Sequence, residues 1–150
     1  MRSIKVILPG SIRSKKNSKA PGLIRSRTRA PRPGIFSSKA YVQWERSARL
    51  GIDFCNPSKD QICIRNIGKG KSNFYVPALK QLMTGPICIK AMIYYSGPKP
   101  DVDGSYASIA DCLQGIIYEN DGMIEHWDGS RRIHCKENPR TEVEIMEFKE

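Results

Sequence analysis

Residues 87–95 read Ile-Cys-Ile-Lys-Ala-Met-Ile-Tyr-Tyr, and they constrain the fold more than any other stretch. Nine residues rich in β-branched and aromatic side chains, with Gly85-Pro86 before them and Ser96-Gly97-Pro98-Lys99-Pro100 after, predict the clearest strand of the chain. Pro100 biases Lys99 toward extended backbone, so the chain cannot curl directly into a helix there. A helix is predicted to open at Asp101 or Asp103 and run to about Gln114, with Val102, Tyr106, Ile109, Ala110 and Leu113 on its apolar face. Gly115 is its natural stop.

Similar reading places a first strand at 3–8. Ser38 is the predicted N-cap of a helix near 39–51, whose apolar stripe is Tyr41, Trp44, Ala48 and Ile52. A closing antiparallel strand is expected from Thr141 to Phe148. Between these elements the signal weakens. Gln61–Arg65 alternates, Gly68-Lys69-Gly70-Lys71 reads as a turn without P-loop spacing, and 77–83 reads as a short helix. Residues 122–135 read as a strand broken at Asp128-Gly129, by either a hairpin turn or a bulge. The predicted fold class is α+β: one domain over 1–150, with a small, mostly antiparallel sheet and about two main helices on one face.

Charge is distributed unevenly. Of 25 Lys and Arg residues, thirteen lie in the first fifty positions, against one acid, Glu45; the remaining hundred positions hold twelve basic and fourteen acidic residues. Residues 10–36 combine this charge with Gly, Pro and Ser and almost no apolar periodicity, which predicts a long flexible basic loop. The loop lacks the apolar face of a membrane binder, so nucleic acid is the expected partner. No apolar run approaches the ~20 residues of a bilayer span, and the N-terminus lacks a secretory apolar core. Five scattered cysteines without a Cys-x-x-Cys pair argue against zinc or a disulfide framework, and suit free thiols in a reducing cytoplasm.

Against this basic background stand Asp101 and Asp103, with Asp121 following the predicted helix. Crowded carboxylates repel unless a cation lies between them, and Mg²⁺ takes oxygen ligands. Carboxylates for Mg²⁺ beside cations for phosphates is the chemistry of phosphodiester cleavage. The same spacing also suits a turn and a helix cap. His126 and His134 are read as ordinary surface or core residues, Trp44 as core, and Tyr94, Tyr95 and Trp127 as core or dimer interface.

The order of the motifs resembles the RusA-like Holliday junction resolvases, small endonucleases often carried by phages and prophages. Gly10-Ser11-Ile12-Arg13-Ser14-Lys15-Lys16-Asn17-Ser18-Lys19 is similar to the family's basic loop, and residues 38–45 to its first helix. Lys99-Pro100-Asp101-Val102-Asp103 resembles its Pro-Asp-x-Asp motif. Asp111 to Asp121 resembles its Asp-x-Leu-x-Gly to Asp-Asp segment, and residues 136–143 its closing turn and strand. The resemblance implies a homodimer that cuts four-way DNA junctions with paired nicks. Asp101, Asp103 and Asp121 would then be catalytic metal ligands for Mg²⁺, with Mn²⁺ as a substitute. Arg13, Lys15, Lys16, Asn17, Lys19, Arg25, Arg27, Arg29, Arg32, Lys39 and Lys99 would contact DNA.

Three positions depart from the family. Gly104 replaces an Asn, Ala107 a Lys, and Asn120 the first of two acids. Loss of the Lys removes a charge near the scissile phosphate, which Lys99 is placed to supply. The competing readings are a junction-binding protein that has lost catalysis, supported by Ala107 and Asn120, and an RNA-binding module, supported only by charge and size.

Overall fold

The computed structural model describes residues 2–15, 19–25, 27–28, 30–58 and 60–148. In chain order they form β1 (Arg2–Pro9), β2 (Lys19–Ile24), β3 (Arg32–Ser37), α1 (Lys39–Leu50), β4 (Asp53–Cys55), β5 (Ile62–Asn66), β6 (Tyr75–Leu79), β7 (Ile87–Tyr95), α2 (Val102–Leu113), β8 (Ile124–Trp127), β9 (Arg131–His134) and β10 (Arg140–Glu147). The fold is α+β, with two helices and a mixed, mostly antiparallel main sheet.

That sheet runs β4-β1-β10-β7-β8, with β9 also paired to β7. β10 lies between β1 and β7 and is antiparallel to both. Its register aligns inward-facing rows across three strands: Val6, Val143 and Ala91; Leu8, Thr141 and Ile93; and the buried Ile145 and Ile89 with the partly buried Ile4. Side chains alternate across a strand, so these rows make one face apolar. The opposite face carries the row Lys5, Glu144, Lys90, in which the central acid is flanked by two cations.

Both helices form where the sequence predicts. The Ser38 hydroxyl accepts the Tyr41 amide at 3.2 Å, and α1 buries Tyr41, Trp44 and Ala48. α2 ends at Gln114, followed by Gly115 at φ +80. Its last turn contains no basic residue, and α1 supplies the complement. Arg49 donates from Nε to the Cys112 carbonyl at 3.1 Å and from Nη2 to the Asp111 carbonyl at 2.7 Å. The buried Tyr118 hydroxyl donates to the Ala110 carbonyl at 2.7 Å. Carbonyls left over at a helix end thereby find partners.

Two expectations are corrected, and one open choice, at Asp128-Gly129, is decided. Residues 75–79 form strand β6, paired with β5, rather than a helix over 77–83. Pro77 is tolerated because in a two-stranded sheet each strand has an edge that needs no ladder donor. Residues 10–36 are not one loop: β2 and β3 pair antiparallel, with Gly22 opposite Gly34. Asp128-Gly129 marks a bulge and not a hairpin, because β8 and β9 both run parallel to β7. From Ile89 to Met92 β7 advances three residues while its neighbour advances four, from Trp127 to Arg131. The Ser130 hydroxyl fills the gap by accepting the Ala91 amide at 3.0 Å.

Candidate active site

The acid pair sits where β7 hands over to α2. Asp101 is the N-cap of α2: its Oδ2 accepts the Gly104 amide at 2.8 Å, and its carbonyl accepts the Ser105 amide at 3.0 Å. Asp103 occupies the first turn. The helix dipole favours negative charge there, so two exposed carboxylates are held at little cost in a fixed place.

The start of the basic segment is fastened along α2, from the acid-pair end toward its last turn. Ser11 and Ser96 exchange hydrogen bonds at 3.2 and 3.1 Å, tying the segment to the end of β7. The Ser108 hydroxyl donates to the Arg13 carbonyl at 2.6 Å and accepts the Lys15 amide at 2.9 Å. Lys15 Nζ pairs with the Asp111 carboxylate. Gly104, Ser108 and Asp111 recur at i, i+4 and i+7, one stripe of the helix. Residues 13–15 lie along it. A Cβ at Gly104 would fall 1.7 Å from the buried Ser14 Oγ, so only a bare backbone admits the segment. Gly104 is therefore a seat for the basic segment.

Asp121 lies elsewhere. It opens a 3₁₀ turn, Asp121–Met123, that leads into β8. β8 is parallel to β7 and begins opposite Ile87. A β-α-β crossover returns the chain to the end where the first strand began, so Asp121 lies at the start of β7 and the acid pair beyond its end. The Arg132 guanidinium donates to the Pro100 carbonyl at 3.1 Å, fixing that carbonyl beside Ile93, the neighbour of Arg132 in register. From Ile93 back to Ile87 is about 20 Å of strand. Among the described residues, no three His, Cys, Asp or Glu side chains gather as a metal-holding group. One chain thus brings Asp101 and Asp103 together and leaves Asp121 apart, short of the three-carboxylate site that the resemblance implies.

Of the expected DNA contacts, Arg13, Arg25, Arg27, Lys39 and Lys99 are exposed, and Lys15 is half-buried in its ion pair. Lys19 and Arg32 lie in the β2–β3 hairpin, and Lys16, Asn17 and Arg29 fall outside the described residues.

A wide cleft lies away from the acid pair. It measures about 480 Å³ and lies between α1 and α2, where Lys15, Arg49 and Lys69 face Glu45 and Asp111. Glu45 accepts from the Tyr41 hydroxyl and pairs with Arg49 at 2.8 Å. Burial, reinforced by Glu45, raises the Tyr41 phenol far above its ordinary value and keeps it protonated. Burial likewise pushes the neighbouring Cys112 thiol up to about 12, which leaves it neutral and unsuited to act as a nucleophile. Sequence reading missed Glu45, Arg49 and Asp111, because their pairing depends on how two distant helices dock. All five cysteines are free, and no helix among the described residues is long and apolar enough to cross a membrane.

No protein-family model matches the chain, and no curated protein matches it.

Proposed function

We propose that this protein is a structure-specific endonuclease that binds branched DNA and resolves four-way junctions by phosphodiester hydrolysis, as the RusA-like motifs imply. The observation that supports this best is the fastening of Arg13 to Lys15 along α2, beside the Asp101–Asp103 pair. A strongly basic segment beside exposed carboxylates suits a backbone phosphate that is bound and then cut. Residues 13–15 and the hairpin that follows provide sequence-independent affinity. Mg²⁺, or Mn²⁺ in its place, belongs to this reading. Asp121 of one chain lies apart from its Asp101 and Asp103, so the reading also requires a second copy to bring an Asp121 to the Asp101–Asp103 end. That requirement agrees with the homodimer implied by the resemblance, and a two-fold dimer suits a symmetric junction.

The second reading, a junction-binding protein without cleavage, draws on Ala107, Asn120 and the separation of the acids. A nicking assay on a labelled four-way junction separates the two. The endonuclease reading expects paired nicks with Mg²⁺ or Mn²⁺, and binding alone in EDTA. Binding with no nicks in either metal supports the second reading, and preference for structured RNA over the junction defeats both.

A further inference from the structure

Beside the acid pair lies a smaller pocket of about 210 Å³, lined by Ile93, Lys99, Val102, Tyr106 and residues 130–132. Its charged lining residues are Lys99, Arg131 and Arg132, and none of its lining residues is acidic. The register sets Arg132 opposite Ile93, on the α2 side of the sheet, and Arg131 opposite Met92, on the other side. The pocket thus combines Lys99 from the β7–α2 connection with Arg132 from β9. They are held near each other because Arg132 donates to the carbonyl of Pro100, the residue next to Lys99. The Tyr106 ring, which lines the pocket, stacks on Trp127 just behind it, with centroids 4.2 Å apart and planes 4° apart.

Like charges confined together repel unless an anion lies between them. A planar guanidinium fork next to an ammonium matches the oxygens of a phosphate. On α2, Val102 and Tyr106 line the pocket, and the adjoining stripe, one residue round the helix, carries Asp103 and Ala107. The pocket therefore flanks the position where a side chain longer than Ala107 would project. We infer that it is the seat of one DNA-backbone phosphate, the one adjacent to the acid pair, held by Lys99 and Arg132 together. This inference rests on the proposed function only in taking DNA as the source of the phosphate.

Two measurements test it. Inorganic phosphate, titrated against chloride at equal ionic strength, shifts the Trp127 indole NMR signal saturably in the parent protein. The shift is lost in Lys99→Gln and weakened in Arg132→Lys, which keeps the charge but not the fork. Lys99→Gln also binds a four-way junction about tenfold more weakly, with its salt-dependence slope reduced by about 1, as expected when one phosphate contact is removed. A parent protein without a saturable phosphate signal overturns the inference, as does a Lys99→Gln variant with parental affinity and slope. A protein that takes up phosphate in this pocket but binds no DNA overturns the proposed function and leaves the anion seat standing.

Discussion

Asp101→Asn leaves the protein about as stable as its parent and removes junction nicking. The Asp101 carboxylate has a structural duty, capping α2 by accepting the Gly104 amide. Asparagine caps a helix about as well as aspartate, so the loss is confined to the charge–dipole contribution, about 0.3–1 kcal/mol. Alanine cannot accept the amide, and Asp101→Ala costs about 1 kcal/mol. Loss of the ionised carboxylate lowers nicking by about two to four orders of magnitude, the range for removing a group that acts on the reacting bond. Thermal or urea denaturation together with a junction assay checks all three points. An Asp101→Asn protein that nicks at the parental rate reduces Asp101 to a helix cap.

Gly104→Ala destabilises the protein, against the usual direction for this change in a helix. Glycine to alanine in a helix interior ordinarily gains about 1 kcal/mol. Here the new methyl would lie 1.7 Å from the Ser14 hydroxyl oxygen, and Ser14 is packed in place by the bonds on either side of it. Overpacking costs about 1–3 kcal/mol, and each lost hydrogen bond adds about 1 kcal/mol. The net expectation is a loss of about 1–3 kcal/mol. Limited trypsin digestion then cuts sooner at Arg13 and Lys15, and junction affinity falls as the basic segment leaves the acid pair. A stabilised Gly104→Ala protein shows that the segment does not rest on this helix.

Local signals specified much of the scaffold. Flanking prolines bounded β7, Ser38 and Asp101 capped the two helices, and the Tyr41–Trp44–Ala48 stripe identified the buried face of α1. These are short-range effects that residues carry in their own neighbourhoods. The β2–β3 hairpin escaped notice because its pairing is carried by the backbone, and each strand holds a Pro and a Gly, which read as turn residues. The β6 strand was hidden by a proline that only an edge position permits. Strand direction was the costliest omission. Spacing between Asp103 and Asp121 is the same whether β8 runs with or against β7, yet direction alone decides which end of the sheet receives Asp121. Gly104 likewise stood out in the sequence only as a missing Asn, and its purpose emerged from a contact ninety residues away along the chain.

The most direct test combines two defective proteins. Asp101→Asn and Asp121→Asn are each expected to bind a four-way junction and fail to nick it. If acids from two copies make one site, exchanging subunits between the two variants gives hybrids with one intact site. Nicking then returns to about a quarter of the parental level under random pairing. A mixture that stays inactive after exchange is verified contradicts the account, and so does an Asp121→Asn protein that nicks as well as its parent.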